Sequence, residues 1–218
     1  MTPHREIFDR ELKNLSAMVI DMMDRVHEHY RLIQQAFEER SKKGMEKLIN
    51  ADQIINDLED DINEKAFIII MKECPVARDL RAVMTAIRIA NDLERLGDYV
   101  TNIAKYILNS PHELPFRKYI LKYFNPVLKM LEKAKDAYQK QSIDLAYEVV
   151  ELDSSIDEIY EDHVKKFIRI LKQEVDVNAE ESGRILFVIK QFERAGDHLT
   201  NIAEAIIYLV RAQRVSLN

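Results

Sequence analysis

Four carboxylates in the second half of the chain, Asp153, Asp157, Glu193 and Asp197, fall in two pairs with four-residue spacing. Asp52, Asn56, Glu94 and Asp98 fall in the same pattern in the first half. On a helix, side chains four apart leave the same face. A hairpin turning near residue 75 brings Asp52 level with Asp98 and Asn56 level with Glu94. A turn near residue 175 does the same for Asp153 with Asp197 and for Asp157 with Glu193. Each half is therefore expected to gather four oxygen-bearing side chains. Crowded carboxylates raise one another's pKa unless a cation sits among them. Oxygen donors with no cysteine and no required histidine suit hard or borderline cations, and Mg²⁺, Mn²⁺, Ca²⁺ and iron all stay open. Asn56 leaves the first set with three carboxylates, so weaker binding is expected there. The competing reading is a solvated acidic face in a chain with 38 acidic residues; the mirrored register in both halves favours a site.

Two of the acidic pairs lie in a stretch that is written twice. Glu94-Arg-Leu-Gly-Asp-Tyr-Val-Thr-Asn-Ile-Ala104 returns as Glu193-Arg-Ala-Gly-Asp-His-Leu-Thr-Asn-Ile-Ala203, 99 residues later and identical at eight of eleven positions. Leu93, Gly97, Val100 and Ala104 form one helical stripe, with Glu94, Asp98 and Asn102 beside it. A glycine inside a helix costs roughly 1 kcal/mol against alanine. Only four glycines are present, so Gly97 and Gly196 at matched positions predict close approach by a neighbouring helix. Arg95 and Arg194 are read as exposed counter-charges or as groups that orient the carboxylates. Asn102 and Asn201 are expected to make interhelical hydrogen bonds. His198 stands where the first copy has Tyr99, which argues against a required ligand. His27, His29 and His163 have no motif around them and are expected at the surface.

The elements that must position these residues are long helices. Phe8, Leu12, Leu15, Val19, Met22, Val26, Ile33 and Phe37 recur at three and four, predicting one helix from Arg5 to about Glu39. Ser41 to Gly44 reads as a break with Ser41 as N-cap. A second helix carries Leu48, Ile55, Leu58, Ile62, Ala66 and Ile69 and ends at Cys74-Pro75. Phe67-Ile-Ile-Ile-Met71 reads as core, part of it free to face a partner. The third helix runs from about Ala77 to Leu108. Asn109 to Pro115 then interrupts the pattern and marks the boundary between a first unit, 1–110, and a second, 111–218. The second unit repeats the plan: one helix containing Pro126, which should kink it or delay its start, a second from about Ser142 to Leu171, and a third to about Arg214. The fold expected is all-α, two tandem antiparallel three-helix bundles related by an internal repeat. Helices of about 30 residues make each bundle a rod of roughly 45 Å.

Composition narrows the function. The chain has 218 residues, 47% of them hydrophobic and 32% charged, which suits long amphipathic helices. One cysteine, Cys74, excludes an intrachain disulfide framework and fits a reducing compartment. A formal charge of −6 speaks against nonspecific nucleic-acid binding. No apolar run approaches the roughly 20 residues that span a bilayer. The first residues are charged and show no signal-peptide core. A soluble cytoplasmic protein is expected.

At Asp52-Gln-Ile-Ile-Asn56-Asp-Leu-Glu59, Cys74-Pro-Val-Ala-Arg-Asp-Leu-Arg81, Ile89 to Asp98, Glu193-Arg-Ala-Gly-Asp197 and Thr200-Asn-Ile-Ala-Glu204, the sequence resembles the PhoU family of phosphate transport-system regulatory proteins. The resemblance covers essentially the whole chain and implies two three-helix bundles. It also implies that the paired acidic motifs, here Asp153, Asp157, Glu193, Asp197, Asp52, Glu94 and Asp98, bind iron or zinc clusters as in some members. Asn56 stands where the family often has Asp. By the same resemblance the expected role is a negative regulator of phosphate uptake and of the phosphate-starvation response. Its expected partners are the ATPase subunit of a phosphate ABC transporter and a sensor histidine kinase, with contact to the membrane only through partners, and a homodimer is expected.

The residues themselves carry no catalytic machinery: no phosphate-cradling glycine loop, no Ser/His/Asp or Cys/His set and no cofactor fingerprint. A non-enzymatic regulator is therefore the leading expectation. A helical-bundle metal carboxylate enzyme is the alternative, because carboxylates on facing helices also build di-iron sites. Those sites add histidines from Glu-x-x-His motifs, which this chain does not have. A metal buffer is the third reading.

Overall fold

The computed structural model of the chain describes residues 3–109, 117–173 and 179–217. Six helices account for the secondary structure of these residues: α1 (Pro3–Glu38), α2 (Lys42–Glu73), α3 (Ala77–Leu108), α4 (Arg117–Lys140), α5 (Ile143–Gln173) and α6 (Ala179–Arg211). The boundary expected between 110 and 111 and the turn expected at Val175–Asn178 lie outside the described residues.

Each junction has a local cause. Ser41 caps α2, its Oγ accepting from the Gly44 N–H at 3.1 Å. The break is shorter than the sequence suggested, because Lys42 to Gly44 are already helical. Gly44 lies in the first turn, where a Cβ would come within 2.9 Å of the Ala36 Cβ. Ser142 repeats the capping role, accepting from the Leu145 N–H at 3.3 Å. Cys74 takes the left-handed conformation at the end of α2, and Pro75 prevents the helix from continuing. Pro126 sits inside α4, whose start at Arg117 is not delayed.

α1, α2 and α3 pack as one bundle, and α4, α5 and α6 as the other. The apolar stripes face inward: Val19, Val26 and Ile33 on α1, Ile55 and Ile62 on α2, and Leu93, Val100 and Ala104 on α3 are fully buried. The bundles join along α3 against α6 and α1 against α4, and one continuous core runs through both halves. α3 and α6 are antiparallel. Tyr106 stacks on Phe187 with ring centroids 4.0 Å apart, while at the other end of α3 the Arg81 Nε–H donates to the Leu209 carbonyl at 3.1 Å. After α6 the chain turns back on itself. Val215 and Leu217 pack against the core, and the Leu217 N–H donates to Glu204 Oε1 at 2.8 Å. No described helix is long and apolar enough to cross a membrane.

Phe67 and Met71 depart from the expected core segment. Both stand 60% exposed, while Ile69 between them is buried. Five successive apolar residues cover more than one face of a helix, and only one of those faces meets the bundle interior.

Candidate functional site

In the second bundle, α5 carries Asp153 and Asp157 and α6 carries Glu193 and Asp197, and the hairpin sets the two helices side by side. Asp153 is the innermost of the four, 7% exposed. Thr200 Oγ donates to Asp153 Oδ2 at 2.9 Å, whereas Oδ1 has no hydrogen-bond partner among the described residues. Gly196 explains how a carboxylate fits there: a Cβ on that residue would lie 2.1 Å from Oδ1. Burial pushes the Asp153 carboxyl up to about 6. The Thr200 bond works against that rise, and Asp157, Asp197 and Glu193 add to it. Asp157 is raised by loss of solvent and then by the charges of Glu193 and Glu161. Asp197 is raised by burial and then by Glu193, with Lys190 opposing. Lys190 forms an ion pair with Glu193 and reaches over the Tyr160 ring at 5.3 Å.

The first bundle holds a related but altered arrangement. Thr101 Oγ donates to Asp52 Oδ1 at 2.8 Å, matching Thr200 and Asp153. Gly97 makes room for Ile55 instead of a carboxylate, since its Cβ would lie 3.0 Å from the Ile55 Cγ2. Glu94 is raised by burial and then by Asp98, with Glu59 and Asp52 adding and Arg95 opposing. Arg95 binds the cluster directly, 3.2 Å from Glu94 and 3.3 Å from Asp98. Asn56 is half-buried on α2. Among the described residues, no three His, Cys, Asp or Glu side chains stand close enough to hold a metal ion as they are placed.

Two histidines expected at the surface are buried. His29, on α1, is 7% exposed with its Nδ1 unpartnered; burial holds its pKa down, and the charge of Asp52 opposes that. His163 is 1% exposed and shares a 3.0 Å hydrogen bond with the Tyr123 hydroxyl. Both continue apolar stripes, His29 between Val26 and Ile33 and His163 between Ile156 and Phe167, and that spacing was the available signal. His27 is half-buried, 3.4 Å from Glu132. The threonines that brace buried Asp153 and half-buried Asp52 stand at matched positions of the repeated stretch, which was the available signal for them.

Where the halves meet, the copies differ. Tyr99 and His198 occupy matched positions and face each other with ring centroids 5.6 Å apart. The Arg194 guanidinium lies over the Tyr99 ring at 5.2 Å, and His198 Nδ1 is 2.8 Å from Asp92 Oδ1. Around these contacts an open cleft is lined by Arg95, Asp98, Asn102 and Gln191. Arg194 thus serves the junction between bundles, while its counterpart Arg95 serves the acidic cluster.

Twin helical bundles, each with a threonine-braced aspartate, Asp153 buried and Asp52 half-buried, define a tandem-repeat protein with acidic faces. The PhoU domain profile matches residues 19–107 and again 120–206, and the chain belongs to the PhoU family. It is 33% identical to the phosphate-specific transport system accessory protein PhoU homolog of Clostridium acetobutylicum, over 98% of this chain and 99% of that one. It is 31% identical to PhoU homolog 1 of Thermotoga maritima, over 93% and 88% respectively. The crystal structure of the phosphate transport system regulatory protein PhoU from Streptococcus pneumoniae superimposes with a TM-score of 0.86 at 26% identity, covering 96% of this chain and 99% of that one.

Proposed function

We propose that this chain regulates phosphate uptake and the phosphate-starvation response, acting through the ATPase subunit of a phosphate ABC transporter and a sensor histidine kinase. It is a non-enzymatic accessory protein. The end-to-end match to relatives named for phosphate transport carries the regulatory reading. Long amphipathic helices offer faces for docking on partner helices. Pull-down of the transporter ATPase and the kinase with the purified chain is expected to capture at least one of them, and capture of neither would overturn this reading.

The second bundle's acidic face is proposed to take a divalent or trivalent cation, iron and zinc being the family's choices and Mg²⁺ or Mn²⁺ equally suited to oxygen donors. The supporting observation is Asp153 Oδ1, buried and unpartnered beside Asp157, Glu193 and Asp197. A bound cation would add to the single positive charge that Lys190 brings to these four carboxylates. Thr200 bonds Asp153 and Gly196 leaves it room, and Glu193, now paired with Lys190, would help to hold the ion. In the first bundle Asp52, Asn56, Glu94 and Asp98 form the weaker counterpart, because Asn56 leaves three carboxylates and Arg95 pairs with two of them, Glu94 and Asp98. Calorimetric titration of chelator-stripped protein with Mn²⁺, Zn²⁺ and Fe²⁺ tests this. The Asp157→Ala variant is expected to lose the tighter site, and unchanged binding would remove the proposal.

A further inference from the structure

The turn between α2 and α3 carries an apolar surface that the bundle does not use. Val76, at its apex, is 73% exposed. Met71 and Phe67 on α2 are each 60% exposed, and Leu80 and Met84 on α3 are 37% and 48% exposed. Phe67 and Met71 stand four apart on α2 and Leu80 and Met84 four apart on α3, so each pair shares a helix face, and the two helices pack side by side back from the apex; these residues and Val76 make up the apolar strip. The repeat does not require this strip. At the four helix-borne positions the second half carries Ile168, Lys172, Ala179 and Gly183, so only the first of them keeps a large apolar side chain.

Two cations flank the strip, Lys72 and Arg78, both exposed and neither in an ion pair among the described residues. The nearby acid Asp79 is taken up by Arg5 at 3.0 Å, and Glu73 is half-buried. In a chain of net charge −6, the apex segment 71–84 is positive on balance, with Lys72, Arg78 and Arg81 against Glu73 and Asp79, beside exposed apolar side chains; Lys72 also acts on Glu11. Val76 stands furthest into solvent, at the turn itself. A partner helix of the groove-binding kind needs an apolar slot, whereas side chains standing out from a turn suit a medium that closes around them.

We propose that the α2–α3 apex inserts into an anionic lipid surface, with Val76, Met71 and Leu80 entering the acyl boundary and Lys72 and Arg78 meeting the headgroups. The strip is about eight residues, or about 12 Å, long on a helix axis. An apolar face enters the headgroup boundary by about 5–10 Å. The apex half is thus immersed, while Phe67 and Met84 stay at the rim. The contact is peripheral and does not depend on metal or on any phosphate-system partner.

The experiment is flotation of the full chain with vesicles of phosphatidylcholine alone and of an equal mixture with phosphatidylglycerol. Binding is expected only to the mixture and to weaken as salt rises. Each basic residue near an anionic surface is worth about a fivefold change in affinity, so Lys72→Ala with Arg78→Ala should weaken binding about 25-fold. Met71→Ser with Val76→Ser removes two inserted side chains and should weaken it about 100-fold or more. Both pairs are exposed, and unchanged far-ultraviolet circular dichroism confirms that the variants fold. The chain has no tryptophan, so Val76→Trp gives a single reporter, whose emission should shift to the blue on anionic vesicles. Absence of flotation, binding that is indifferent to both variant pairs, or a tryptophan shielded by a protein partner and not by vesicles would each overturn the proposal.

Discussion

Asp153 sits under two opposed influences. Thr200 supplies one hydrogen bond to its ionised form, while burial and three neighbouring acids favour the protonated form, placing the carboxyl at about 6 against an ordinary 3.8. The folded state therefore holds this proton more tightly than the unfolded chain. Stability from this group is fullest below about pH 4 and falls as pH rises through about 6, by roughly 3 kcal/mol in metal-free protein. Asp153→Asn should accordingly raise the urea midpoint at pH 7 in chelator and leave it unchanged near pH 4. Added Mn²⁺ should stabilise the wild type more than the variant. Thr200→Val takes away the one bond the carboxylate has. A loss of about 1–3 kcal/mol is expected at pH 7, with the Asp153 resonance in a carboxyl NMR titration moving to still higher pKa; a lower pKa would contradict the role given to Thr200.

At the scale of the elements, the matched glycines do different work. Gly196 leaves space for a carboxylate and Gly97 for an isoleucine. Alanine in place of either gains about 1 kcal/mol of helix propensity, but at Gly196 the new Cβ also lies 3.2 Å from the Asp153 Cγ, which rotation of the carboxylate does not relieve. Gly196→Ala is therefore expected to be net destabilising by about 1–3 kcal/mol. In the Asp153→Ala background the obstacle is gone and the same change should become neutral or stabilising. Additive effects in that double-mutant cycle would show that the two residues do not compete for space. The capping serines make a simpler pair: Ser41→Ala and Ser142→Ala should each cost about 1 kcal/mol, read from urea unfolding followed at 222 nm.

For the whole molecule, α3 against α6 and α1 against α4 merge two repeats into one core. A single calorimetric transition is expected, with equal calorimetric and van't Hoff enthalpies; two resolved transitions would mean that the bundles unfold independently. Tyr106→Ala and Phe187→Ala should couple by about 1 kcal/mol across that junction. The junction is also where the copies diverge. Tyr99 and His198 meet there, and a perfect repeat would have placed two identical side chains face to face.

Much of this was legible in the chain. Helical period is a local property, so the six helices, their inward stripes and the doubled Glu-Arg-x-Gly-Asp stretch could be read directly, and two internal glycines announced helices packed closely enough to exclude a Cβ. Helix ends shifted by a few residues because caps are settled by single hydrogen bonds such as Ser41 to Gly44. Tertiary structure decided the rest. Whether His29 faced solvent or the interior, whether Arg194 served an acid or a ring, and which apolar residues of the Phe67–Met71 run stayed outside all depend on how each helix is rotated about its axis and which neighbour it meets. A spacing of three or four residues fixes which side chains share a face; only packing fixes what that face is turned toward.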